Sequence, residues 1–87
     1  MKIQLKLYAS SKILGDNDIL KVELPNNSNI EDLRSVLSKI IYEKNLKHLQ
    51  NLPKTSAFFG ELNEIINDKY KLKDKEIISI IPPIGGG

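Results

Sequence analysis

Ser28–Lys44 reads SNIEDLRSVLSKIIYEK, and its periodicity decides what the rest of the chain must build around it. Ile30, Leu33, Val36, Leu37, Ile40 and Ile41 recur at the three–four spacing of one helical face, with the stem of Lys44 extending the stripe. Ser28-Asn29-Ile30-Glu31 has the form of a capping box, in which a hydroxyl and a carboxylate each satisfy a backbone N–H that the first turn leaves orphaned. The spacing predicts a helix that starts at Ser28 and frays near Asn45. One amphipathic helix has one stripe to bury, and one face of a sheet is the surface that fits it.

The flanks supply that sheet. Lys2 to Tyr8 alternates, with Ile3, Leu5 and Leu7 on one face and Lys2, Gln4 and Lys6 on the other. Ser10, Ser11, Gly15, Asp16, Asn17 and Asp18 read as a loop, and Leu20, Val22 and Leu24 resume the alternation until Pro25 and Asn26-Asn27 stop it. The two segments form an N-terminal hairpin. Beyond the helix, Leu46–Lys54 fits neither period, and Pro53 opposes a continuing helix. Thr55–Phe59 reads as a short strand; Leu62, Ile65 and Ile66 fit a helix by spacing, but their place between the turn clusters Gly60-Glu61 and Asn67-Asp68 favours the second arm of a hairpin. Leu72-Lys73-Asp74-Lys75 is a tight turn. Ile77–Ile81 is apolar on both faces apart from Ser79, as a central, fully covered strand would be. The expected class is α+β: a mixed sheet of four to five strands packed on one main helix. A last strand lying beside the first is the β-grasp arrangement.

Composition narrows the chemistry. With 87 residues there is one small domain, burying about 60–65% of its unfolded surface. A 40% hydrophobic content suffices for one core layer. A net charge of +2 is too weak for a nucleic-acid footprint, and the lysines, opposed by 11 carboxylates, read as a solubilising surface. Without cysteine there is no disulfide, thiolate metal site or thiol nucleophile, and the lone His48, in a polar loop, builds no metal site. No apolar run approaches a membrane span and no signal-peptide pattern opens the chain, so a cytoplasmic protein is expected. The abundance of Ile, Lys and Asn reads as coding bias. Phe58 and Phe59 should divide between core and surface.

Ile81-Pro82-Pro83-Ile84-Gly85-Gly86-Gly87 carries the functional signal. Pro82 and Pro83 donate no backbone N–H, so the ladder cannot pass them, and they hold the chain near extended polyproline geometry. The expected division is a body over residues 1–82 and an extended, flexible tail over 83–87. Glycine fits a channel that any side chain would block. Four extended residues from Ile84 to Gly87 reach about 13–14 Å. The reactive group at such a tip is the α-carboxylate of Gly87. Conversion to an acyl-adenylate supplies the leaving group a carboxylate lacks, after which sulfur or an amine can attack. A cysteine-free protein that handles sulfur would carry it there, as a thiocarboxylate. Terminal glycines also occur in disordered ends and cloning remnants. What distinguishes this ending is Pro-Pro, an aliphatic residue, a small residue and Gly-Gly directly after an apolar strand.

At these residues the chain resembles the small, sulfur-carrying subunit of molybdopterin synthase (the MoaD type), among the ubiquitin-like β-grasp sulfur carriers. Ile80-Ile81, Pro82-Pro83, Ile84, Gly85 and Gly86-Gly87 match that family's ending, with Gly85 at the variable small position, and Lys6-Leu7-Tyr8-Ala9 resembles the end of its first strand. In the turn Asp74-Lys75-Glu76-Ile77, Lys75 stands where the family has glycine, so a left-handed conformation there carries a cost. The resemblance implies a cycle. An E1-like adenylyltransferase uses ATP to adenylate Gly87, and a sulfur donor converts it to thiocarboxylate. The tail then enters the large synthase subunit, in a heterotetramer, and sulfur passes to cyclic pyranopterin monophosphate. The chain itself would bind no cofactor or metal, and the catalytic side chains would be the partners'. Gly85 and Gly86 would thread the partner's channel, Pro82 and Pro83 would aim the arm, and Ile81, Ile84 and Tyr8 would form an apolar docking patch. Tyr8 reads equally as ordinary strand surface, and Ile81 as ordinary core. Other readings stay open: a ubiquitin-like modifier joined to lysines through Gly87, a carrier for thiamine or tRNA thiolation, and an inert interaction module.

Overall fold

The computed structural model describes residues 1–83. In chain order they form β1 (Lys2–Leu7), a 3₁₀ segment (Ala9–Leu14), β2 (Ile19–Glu23), α1 (Ile30–Glu43), a second 3₁₀ segment (Lys47–Leu49), α2 (Leu52–Thr55), β3 (Ala57–Phe59), β4 (Ile65–Ile66) and β5 (Ile77–Ile81). The five strands make one mixed sheet in the order β2-β1-β5-β3-β4. β1 and β2 pair antiparallel as the expected hairpin, β5 lies parallel to β1 and antiparallel to β3, and β3 and β4 form the second hairpin.

Alternation along β1 does what its sequence requires. Ile3, Leu5 and Leu7 are buried under α1, alongside Val22 of β2, Phe58 of β3 and Ile78 and Ile80 of β5. From the helix, Ile30, Leu33, Leu37 and Ile41 close the layer, while Val36 and Ile40 sit at its margin and Lys44 is exposed. Burying each such aliphatic side chain contributes about 1.5–3 kcal/mol. Phe58 is fully buried and Phe59 only half, the division expected of the pair.

Several expectations need correction. α1 is capped one residue later than the sequence suggests: Asn29 Oδ1 accepts from Asp32 N and Asp32 Oδ2 from Asn29 N, both at 2.9 Å. Ser28 is committed elsewhere, its buried hydroxyl donating to the Pro25 carbonyl at 2.7 Å. The stretch after β1 is a 3₁₀ segment rather than an open loop, and Leu14 from it enters the core. Pro53 occupies the first turn of α2, where its missing N–H costs nothing, so Thr55 is helical and β3 begins only at Ala57. β5 is central but not fully covered. Ile78 and Ile80 lie under the helix, whereas Ile77, Ser79 and Ile81 face a side of the sheet that no helix protects.

Asparagine is also chemistry here, not only composition. Asn17, Asn27, Asn45 and Asn63 all adopt positive φ, at 54°, 71°, 57° and 61°, the left-handed turn geometry that Asn tolerates better than most residues. Lys75 has φ 67° in the turn before β5 and carries the strain expected at that position. Its N–H donates to the Lys2 carbonyl at 2.6 Å, while the Asp74 carboxylate accepts from Lys2 N at 2.8 Å, so this turn is tied to the start of β1. The second of these bonds, from Lys2 N, is the main reason the Asp74 carboxyl lies below its ordinary value.

Candidate functional site

The exit of β5 is where the body presents whatever follows it. Register carries β1 and β5 side by side through Leu7 and Ile80, so the residues that follow, Tyr8 and Ile81, lie at the same end of the sheet. On the other flank Ile81 pairs with Ala57 of β3. Alternation turns Leu7 and Ile80 inward, so Tyr8 and Ile81 stand on the uncovered face, 45% and 41% exposed. Ile81 is therefore not a core residue. Pro82 is buried and Pro83 exposed. The expected tail residues Ile84, Gly85, Gly86 and Gly87 lie outside the described residues, and with them the geometry of the arm.

Tyr8 is held by local backbone chemistry. Its N–H donates to Ser11 Oγ at 2.9 Å, and the Ser11 hydroxyl donates back to the Tyr8 carbonyl at 2.6 Å. Ser11 is fully buried, and Ala9 between them takes φ 52°, which turns the chain sharply out of the sheet just after Tyr8. Ser11 thus fixes the end of β1 at the place where β5 ends. Its sequence signal, a serine closely following the last strand residue, is the pattern of a local side-chain-to-backbone turn.

The apolar surface also reaches further than Tyr8 and Ile81. Phe59 pairs with Ser79 on one side and Ile65 on the other, so Phe59 and Ile65 continue the uncovered face outward to the sheet edge. Ile65 is 71% exposed. Among the described residues no group of three or more His, Asp or Glu side chains is placed to hold a metal ion. No helix among them is long and apolar enough to cross a membrane. His48 lies exposed in the second 3₁₀ segment, away from this surface.

No protein-family model and no curated protein matches the sequence. Solved structures do. A ubiquitin from Caldiarchaeum subterraneum superposes with a TM-score of 0.61 at 19% identity, over 100% of this chain and 98% of its own. The chain has the ubiquitin-like β-grasp fold. Within that fold it is similar to molybdopterin converting factor subunit 1 from Pyrococcus furiosus, with a TM-score of 0.68 and 19% identity over 95% of this chain and 98% of the other. It is likewise similar to a chain in the complex of subunits 1 and 2 of molybdopterin-converting factor from Helicobacter pylori, at a TM-score of 0.61 and 19% identity over 100% of both chains. In this β-grasp body the parallel β1–β5 pair brings Tyr8, Ile81 and the proline exit to one end of the sheet, next to an open face that the helix leaves free.

Proposed function

We propose that this chain is the sulfur-carrying small subunit of a molybdopterin synthase, working in the cytoplasm with Gly87 as its terminal residue. The observation that carries the reading is the sequence Pro82-Pro83-Ile84-Gly85-Gly86-Gly87 following straight on from the central strand of a β-grasp body. The carboxylate of Gly87 attacks the α-phosphorus of ATP in an E1-like partner, releasing pyrophosphate, and a sulfur donor then displaces AMP to leave a thiocarboxylate. The large synthase subunit receives the tail, and the thiocarboxylate sulfur passes to cyclic pyranopterin monophosphate. The chain binds no cofactor of its own; ATP is used on the partner. Pro82 and Pro83 aim the arm, Gly85 and Gly86 pass the narrow part of the partner's channel, and Tyr8, Ile81 and Ile84 dock beside it. The similar chain from Helicobacter pylori belongs to a complex of subunits 1 and 2, which supports a large-subunit partner here.

The likeness to a ubiquitin at the same 19% identity favours a second reading, a modifier joined through Gly87 to lysines of other proteins. Intact-mass measurement of protein isolated from its own host separates the two. A carrier shows a fraction heavier by the replacement of one oxygen with sulfur at the C-terminus. A modifier leaves glycine remnants on lysines elsewhere in the proteome. Absence of any sulfur-bearing form after incubation with the adenylyltransferase, ATP and a sulfur donor removes the carrier reading.

A further inference from the structure

The uncovered face of the sheet divides by strand. On β5, β3 and β4 it is mainly apolar, through Ile77, Ile81, Phe59 and Ile65, with Ser79 among them. On β1 and β2 it carries Lys2, Lys6 and Lys21, with Lys75 joining Lys2 and Lys21 around one shallow depression at the turn into β5. All four lysines are exposed, and none belongs to either ion pair found among the described residues, Lys12–Asp18 and Arg34–Asp68. Three carboxylates stand near them: Glu23, the cross-strand neighbour of Lys2; Asp74, which accepts the Lys2 N–H; and Asp18, which lines a shallow depression with Lys6 and is paired with Lys12. Across the whole chain 13 cations nearly balance 11 anions, so this excess of positive charge is local.

We infer that the lysine half of this face receives an acidic strip on the large synthase subunit, while the apolar half beside it receives an apolar surface of the same partner. The inference rests on the functional reading above. A partner covering the apolar half also overhangs β1 and β2, since the strands are contiguous in one sheet. A neutral or basic overhang would leave the lysines in excess of their neighbouring carboxylates at the rim, and an acidic one pairs them. Rim charges of this kind act mainly on the rate of encounter. A nucleic acid fits less well, because no aromatic side chain interleaves with the lysines on β1 and β2 and the net charge is only +2.

The test is stopped-flow association of the full chain with the large subunit from the same genome. The double variant Lys2→Glu/Lys21→Glu is compared with Lys39→Glu/Lys47→Glu, which makes the same change of net charge away from the open face. The face variant is expected to associate roughly tenfold more slowly at low salt, and the gap to close as the Debye length falls from about 30 Å at 0.01 M to about 8 Å at 0.15 M. Thermal melting checks the fold, and the neutral pair Lys2→Gln/Lys21→Gln, expected to slow association by about threefold, stands in if the reversal does not fold. Equal slowing by the face and control variants, or no slowing by either, overturns the inference while leaving the functional reading intact. A wild-type chain that does not bind the large subunit at any salt overturns both.

Discussion

Arg34 Nε and Nη2 both donate to Asp68 Oδ1, at 3.1 and 3.0 Å, tying the middle of α1 to the loop that follows β4. The same guanidinium sends Nη1 to the carbonyls of Pro53 and Ser56, at 2.7 and 2.8 Å, and lies over the Phe58 ring, 4.8 Å from its centroid. A single side chain thus joins α1, α2, β3 and the β4–β5 loop. Those parts of the chain are short, since α2 has four residues, β3 three and β4 two, and this clamp adds to the burial of Leu52, Phe58 and Ile66 in the core and to the Glu31 N–H bond to the Asp68 carbonyl.

Arg34→Ala is therefore expected to cost about 2–3 kcal/mol, because it strands two backbone carbonyls and a carboxylate at once. Arg34→Lys should recover only a minor part, since a point ammonium cannot reproduce the planar fork that reaches Asp68 and both carbonyls. Urea unfolding measures both. A loss below about 0.5 kcal/mol in the alanine variant, the size of an ordinary surface substitution, would mean that the clamp contributes nothing to stability.

Asn29→Ala should destabilise α1 by about 1 kcal/mol, roughly 4–8 °C in Tm for a domain of this size. Asp32→Ala should cost a similar amount, since the two side chains satisfy each other's backbone donors. Glu31→Ala, at the position the Ser28 box would use, should change Tm by less than half as much. The reverse ranking would restore Ser28 as the cap.

That one-residue shift shows what sequence can and cannot carry. The period of Ile30, Leu33, Leu37 and Ile41 dictates the helix, and the alternation of Ile3, Leu5 and Leu7 dictates the strand, because burial acts on every repeat. A cap depends on a single backbone geometry, and Ser28 and Asn29 both suit it until Pro25 recruits the serine. The 3₁₀ segment is illegible for a similar reason: Ser10-Ser11 reads as a turn, and only the Ser11–Tyr8 hydrogen bonds make it a defined stop. Ile77–Ile81 is apolar on both sides, yet helix covers one side only, and no local pattern tells an open sheet face from a covered one. Tyr8 and Ile81 are legible as neighbours through the tail motif. Phe59 and Ile65 are not, because cross-strand adjacency joins residues far apart in the chain.

The Tyr70 hydroxyl donates to Glu76 Oε2 at 2.6 Å, and this bond, with smaller contributions from burial and from the charges of Glu76 and Glu64, pushes its pKa up from 10.0 to about 12. A phenol whose pKa is raised by folding contributes stability that is complete below the unfolded value and disappears as pH climbs through the folded one. Stability should therefore fall between about pH 10 and pH 12 by an increment that Tyr70→Phe abolishes. Ultraviolet titration of the folded protein should show a tyrosine step near 12 that Tyr70→Phe removes. Glu76→Gln should bring the late titration back towards the ordinary tyrosine range. If the wild-type protein shows no tyrosine step near 12, the bond to Glu76 does not persist in solution.

Tail chemistry and body stability should separate cleanly. Among the described residues the core closes with Ile80 and Pro82, so one residue added after Gly87, or Gly87 removed, should leave the thermal midpoint within about 1 °C. On the proposed carrier function, sulfur delivery should nevertheless be abolished by either change, because adenylation and transfer would act on one carboxyl carbon whose position is set by counting residues from the prolines. Ile81→Asp tests the docking surface independently of the tip. At 41% exposure it should cost the fold little, yet a charge there would have to be desolvated against the partner, so association should weaken by at least about tenfold with the tip chemistry intact. Retained delivery from the extended chain would mean that sulfur is not carried at Gly87. Retained affinity with Ile81→Asp would move the docking surface elsewhere while leaving the carrier role in place.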